Sequence, residues 1–342
     1  MQNIFRTKEI EDAQLRVITI TIIAFIIMLL GYWSDNFKIS SFATLGLFTL
    51  FYYRNIPMFS LVVRLAIIGL TLLLAFLLGL LSSFLPWTTA IVVAAVAFFS
   101  RVLTRLYDIS KPGVLFYAML SARGGSTTVS VDKLPVLILF FLMGVAFSVV
   151  GGIIIKSFDS RPETPLMLKS LKRRFYNDPI VIIDGVFYSG ALFISVYLSQ
   201  GLKLQNPYWV TLACASILLG ENLRAIRERH LQYTFGAIAG LILSSLIFYF
   251  PFNRLQIVIL VTLFYALSQY FVVRNYAVAN IFTNPLAILL SMIAKGGQLS
   301  SLIQNRLLGI LIGGFLGLAV AYIMTVALDH YITLIQEKRD EG

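Results

Sequence analysis

The sequence predicts an all-α, polytopic membrane protein with about twelve transmembrane helices in two parallel six-helix repeats. Three observations carry that expectation. Hydrophobic residues make up 58% of the 342 residues, only 13% are charged, and the mean hydropathy is +0.87. Apolar stretches of membrane-crossing length recur from Leu15 to Asp329, and about 18 consecutive apolar residues suffice to span a bilayer. The Lys and Arg residues fall unevenly between alternate gaps, as they do in multi-pass chains.

Each crossing is bounded by charge or turn residues. The first half is expected to hold helices at 15–34, 39–53, 61–84, 86–106, 112–122 and 134–156. The second is expected to hold 179–200, 207–223, 231–251, 254–273, 275–293 and 302–328. The stretch 112–122 is too short to span alone, so it reads as part of a broken or continued helix.

With the N-terminus inside, twenty of the 27 Lys and Arg fall in inside segments. Outside lie Lys38, Arg123, Lys133, Lys203, Arg254, Lys295 and Arg306. This imbalance accounts for the net charge of +11 without nucleic acid as a partner. It predicts a multi-pass plasma-membrane protein with both termini cytoplasmic. The acids Glu9, Glu11 and Asp12 before the first apolar run argue against a cleavable signal peptide.

Residues 157–178 are polar, basic and proline-bearing, and form a linker. The expected units are therefore an N-terminal membrane repeat at 1–156, a cytoplasmic linker at 157–178 and a C-terminal repeat at 179–342. Six crossings per half return the chain to the same side, which makes the repeats parallel. A shift of 167 residues sets Thr44-Leu45 on Thr211-Leu212 and Gly69 on Gly236.

Chemistry-bearing residues are few. Cys214 is the lone cysteine, which excludes a disulfide framework. His230 and His330 are too far apart in sequence to suggest a metal site, and no nucleotide, hydrolase or metalloprotease motif occurs. Neither a cofactor, a metal nor an enzymatic activity is expected. Gly236-x-x-x-Gly240 and Gly309-x-x-x-Gly313 let helix backbones approach closely. Asp184 is the one acid well inside an apolar stretch, either a site for proton coupling or a partner for a neighbouring Arg. Arg101 and Arg105, with Arg224 and Arg227, read as a cytoplasmic vestibule for anions or as plain interface anchors. Pro285 interrupts the eleventh helix beside Asn280, Thr283 and Asn284, and interrupted helices often mark substrate sites. Thr44, Thr211 and Arg306 complete the candidate path.

The second half resembles the fusaric acid resistance-like family, which includes aromatic acid exporters. The resemblance rests on Pro207-Tyr208-Trp209-Val-Thr211, a following basic stretch, and Leu231-Gln232-Tyr-Thr-Phe-Gly236-Ala-Ile-Ala-Gly240. Asn275-Tyr276-Ala277 with Thr283-x-Pro285, and Arg306-Leu-Leu-Gly309-Ile-Leu-Ile-Gly313, resemble later motifs of the family. It covers about residues 205–325. Tyr233 stands where the family often has Arg, Ala237 and Ile310 where it often has Thr, and Gly309 where it often has an acid. The large cytoplasmic domain common in such exporters has no counterpart beyond the linker and short tails. Plant malate channels look similar.

The resemblance implies two six-helix bundles and export of organic, often aromatic, carboxylates. The expected function is secondary export of an amphiphilic or aromatic organic anion. A passive anion channel and a non-transporting scaffold of cell-envelope assembly are the alternatives. The expected partners are the lipid bilayer, a small organic anion, and either a second copy of the chain or an accessory membrane-fusion protein.

Overall fold

The computed structural model describes residues 13–109, 112–164, 174–175, 178, 180–220, 222–295 and 298–340. The first twelve residues and most of the linker, including Lys169, Lys172 and Arg173, lie outside the described residues. The described residues form twelve α-helices. In the first half these are α1 (Ala13–Trp33), α2 (Phe37–Gly46), α3 (Met58–Ser82), α4 (Thr89–Leu106), α5 (Leu115–Gly125) and α6 (Leu134–Phe158). In the second they are α7 (Val181–Gly201), α8 (Tyr208–Ile217), α9 (Leu223–Ile247), α10 (Arg254–Val272), α11 (Tyr276–Lys295) and α12 (Leu299–Asp340). Among the described residues nine helical segments are long and apolar enough to cross a membrane. Side chains such as Ile22, Leu70, Leu74, Ile242 and Leu246 are exposed along them, as a lipid-facing surface requires and a water-facing one would not tolerate.

The short helices α2, α5 and α8 solve the length problem differently. A 3₁₀ turn, Leu47–Tyr52, extends α2, and together they reach about 27 Å, close to a hydrocarbon thickness of about 30 Å. The eleven residues of α5 reach only about 16 Å.

Three expectations need correction. The basic stretch after α8 is not a loop. Asn222 accepts from Ala225 N at 2.9 Å and starts α9 at Leu223, so Arg224 and Arg227 lie in its opening turns. Helix α8 consequently stops at Ile217. Helix α11 is not interrupted: it runs from Tyr276 through Pro285 to Lys295, because a transmembrane helix can accommodate the missing donor. Finally, α12 begins at Leu299, three residues before its expected start, so Arg306, counted among the outside charges, lies about two turns inside the helix.

The packing pairs follow a pattern. Helix α3 packs on α5 and α6, as α9 packs on α11 and α12. Helix α2 packs on α1 and α6, as α8 packs on α7 and α12. Across the halves, α4 packs on α7 and α10 packs on α1. One core consequently mixes Val93 and Ala118 with Trp209 and Leu241, and another mixes Ile27 and Leu47 with Val261 and Leu289. Gly69 and Gly236 do not match: a Cβ on Gly69 would meet Val145 of α6, whereas one on Gly236 would meet Ala277 and Asn280 of α11.

Polar contacts sort the loops to two ends. At one end Arg16 donates to Phe51 O (2.6 Å), Asn55 to Arg161 O (2.8 Å) and Arg174 to Leu106 O (2.6 Å). At the other, Arg254 pairs with Asp35, Gln200 donates to Pro86 O (3.2 Å) and Gln205 N donates to Asn305 (3.1 Å).

A buried cation and its aromatic column

Helices α8, α9, α11 and α12 enclose a polar column in the second half. Its centre is Arg306, which is only 1% exposed. Arg306 Nε donates to Asn284 Oδ1 at 2.8 Å, and the guanidinium carbon lies 5.2 Å from the Trp209 ring centroid. Neither Asp nor Glu pairs with it among the described residues. Its Nη1 and the nearby Tyr233 hydroxyl each lack a hydrogen bond of ordinary geometry. Tyr233 stacks on Tyr276 at 6.1 Å and 21°. Arg229 lies over the other end of this series, 4.0 Å from the Tyr276 centroid, and donates to Ser216 O at 2.5 Å. In the opposite direction Asn206 donates to Ser291 at 3.4 Å, with its own Oδ1 unpartnered.

Helix periodicity builds this column. Arg229 and Tyr233 are four apart on α9, and Tyr276, Asn280 and Asn284 are four apart on α11, so each set shares a face. Close packing brings the faces together. A Cβ on Gly236 would run into the Ala277 carbonyl, and one on Gly240 would meet Ile281 O and Asn280 O. Likewise Gly309 abuts Trp209 and Gly313 abuts Val210 O, setting α12 on α8.

The polar residues around Pro285 serve mainly their own helix. Asn280 Nδ2 donates to Tyr276 O (2.7 Å), Thr283 to Ala279 O (2.8 Å) and Asn284 Nδ2 to Asn280 O (2.7 Å). Of the three, Asn284 alone also engages Arg306. Thr211 accepts from Ser195 at 3.0 Å, and Thr44 donates to Ser40 O at 2.8 Å. Both are buried within the helix packing.

Asp184 is 4% exposed and is not a free acid. Arg101 holds both its oxygens, at 2.7 and 3.1 Å, and Arg105 adds a contact at 3.1 Å. Arg105 also binds Asp178 at 2.5 and 2.9 Å. This geometry gives Asp184 the second of its two expected readings, a partner of neighbouring arginines, and it seams α4 to α7 through Arg101 and Arg105. Arg224 and Arg227 are exposed on α9, which packs on α11 and α12 rather than on that seam.

The sequence reading missed Tyr233, Tyr276, Arg229 and Asn206 as parts of the site. The four-residue spacing on α9 and α11 could have found the first three. It also missed Arg123, whose guanidinium lies 4.8 Å from the Tyr208 ring and whose Nη1 is buried without a partner.

Nine apolar helical spans among the described residues, with their polar groups gathered at helix contacts, define a multi-pass membrane protein. Residues 192–320 match the model of the family described as Fusaric acid resistance protein-like. This stretch contains every named side chain of the column. Over this stretch the chain is similar to fusaric acid resistance-like membrane proteins. It is also 26% identical over 165 residues to the uncharacterized membrane protein YvaC of Bacillus subtilis (strain 168), covering 48% of this chain. The aligned part spans only 26% of that relative's length. No solved structure matches the chain.

Proposed function

We propose that this chain is a secondary transporter that exports amphiphilic or aromatic organic anions across the plasma membrane. The observation that carries this reading is Arg306, a fully buried cation without an acidic partner. Burying a charge without an acidic partner costs free energy, up to about 3 kcal/mol at the centre of a membrane helix on insertion scales. A scaffold has no use for that cost, whereas an anion carrier does. The aromatic column from Arg229 to Trp209 supplies flat, apolar surface beside the charge. Trp209 and Asn284 are as buried as Arg306, and this tight closure favours a gated carrier over an open pore.

In this proposal the basic end of the bundle, with Arg54, Arg161, Arg224 and Arg227, faces the cytoplasm. The corresponding helix pairings of the two halves support parallel repeats related by an axis along the membrane normal. The test is efflux of a panel of aromatic carboxylates from cells with and without the chain. Accumulated benzoate should leave faster when the chain is present, and Arg306→Gln should lose at least ten-fold of the added rate. Equal efflux with and without the chain would leave the scaffold reading in its place.

A further inference from the structure

We infer that the chain holds a single monoanion per molecule, its carboxylate bound by Arg306 Nη1 and the Tyr233 hydroxyl in the second half. This rests on the transport reading above and adds to it the charge, stoichiometry and place of the ligand. The first ground is donor capacity. Arg306 and Tyr233 are 1% and 2% exposed, and each keeps an unused donor beside the other. Two convergent donors, one of them cationic, fit a carboxylate. The second ground is charge. A buried charge must be balanced locally. One guanidinium balances one carboxylate, and a dicarboxylate would bring a second charge into the same dry site.

The third ground is the contrast between the halves. Gly144 abuts Ala43 and Gly46 of α2 as Gly313 abuts Val210 and Ala213 of α8. Counting back seven residues from each glycine gives Leu137 and Arg306. One residue before Ala43 and Val210 stand Phe42 and Trp209. Where the second half has a cation against an indole, the first therefore has the buried Leu137 at the matching position of α6, and Phe42 packs edge-on against Phe76 at 5.9 Å. That position holds no donor, so the first half supplies structure and the second supplies the ligand site.

The test uses the full chain in nanodiscs. Trp33 and Trp87 are 73% and 71% exposed and Trp209 is 1% exposed, so in a Trp33→Phe, Trp87→Phe background the emission reports the site. The probes are benzoate, phthalate and neutral benzamide. Benzoate should perturb Trp209 saturably with one site per chain, and phthalate and benzamide should bind at least ten-fold more weakly. Arg306→Gln should weaken benzoate at least ten-fold and Tyr233→Phe by several-fold. The ligand comparison needs no change at Arg306, so it stands if that variant does not fold. Phthalate or benzamide binding as tightly as benzoate, or two benzoates per chain, would overturn the inference. Benzoate binding without efflux would support the site and remove the export reading. Efflux without Arg306-dependent binding would overturn the site alone.

Discussion

Arg306 Nε donates to Asn284 Oδ1 at 2.8 Å, joining α12 to α11 where neither side chain meets solvent. Asn284 thus orients the cation without cancelling its charge. Asn284→Asp would supply an internal counter-ion, and we expect it to abolish benzoate efflux while the chain still inserts and folds. Asn284→Leu would remove the acceptor and leave Nε unpartnered, at a cost of about 1–3 kcal/mol. Efflux rates and thermal unfolding midpoints separate the two effects. Full efflux by Asn284→Asp would show that Arg306 need not be free of an acid.

Asp184 meets Arg101 and Arg105 across the seam between α4 and α7. Losing one partner of a buried pair costs about 3–5 kcal/mol. We expect Asp184→Asn to fall near the low end, because Arg105 keeps Asp178. Arg101→Leu combined with Asp184→Leu should recover part of the loss. If Asp184 serves as a counter-ion alone, any pH dependence of efflux should persist in folded Asp184→Asn. Its disappearance would restore the coupling role.

Much of the fold was legible in the sequence, because the apolar runs marked where all twelve helices lie. The start of α9 was not: Arg224 and Arg227 read as loop charges, yet Asn222 caps the helix ahead of them. The Pro285 break was over-read, since helical pairing continues on both sides of it. Within the site, Arg306 and Asn284 were candidates from the start. Tyr233 and Tyr276 were not, because spacing gives a residue's face but not the helix opposite it. The pairing of Asp184 with Arg101, 83 residues away, is likewise a tertiary fact.

The start of the linker should resist acid. Arg161 donates to both Asp159 oxygens at 2.8 and 2.7 Å, and the Tyr53 hydroxyl donates at 2.9 Å. These bonds, Arg161 foremost, lower the Asp159 pKa to about 2, against about 3.9 in an unfolded chain. A depressed carboxylate contributes stability above its unfolded pKa, and that contribution is lost as pH falls through the folded value. Protease cleavage near residues 159–164 should therefore rise between pH about 4 and pH 2. Asp159→Asn should show higher cleavage at neutral pH and no rise over that window. An unchanged rise in the variant would assign the acid sensitivity elsewhere.

The glycine contacts set the geometry of the column and can be tested separately from its charge. A Cβ at Gly236 or Gly313 would overlap the carbonyl of Ala277 or Val210, and backbone cannot swing aside as a side chain can. Overpacking costs about 1–3 kcal/mol. Gly236→Ala and Gly313→Ala should therefore lower the unfolding midpoint and slow efflux together. Gly190→Ala should do neither, since nothing lies within 4 Å of its added Cβ. Equal tolerance at all three sites would mean that α9 and α12 do not approach their neighbours this closely.

Orientation can be read with single cysteines, because the native Cys214 is buried and should stay silent to a bulky, membrane-impermeant maleimide. The contacts that sort the loops put Asp35 with Arg254 at one end, and Asn55 with Arg161 at the other. Charge places the second end inside. In intact cells Lys38→Cys and Lys203→Cys should label from outside, while Ser157→Cys and Arg227→Cys should label only after the cells are opened. This pattern requires an even number of crossings between Lys38 and Lys203 and an odd number between Lys38 and Ser157. Labelling of Ser157→Cys from outside would invert the proposed bundle and direct the exposed arginines of α9 away from the cytoplasm. Labelling of Lys38→Cys but not Lys203→Cys would place the two halves in opposite orientations and end the parallel-repeat proposal.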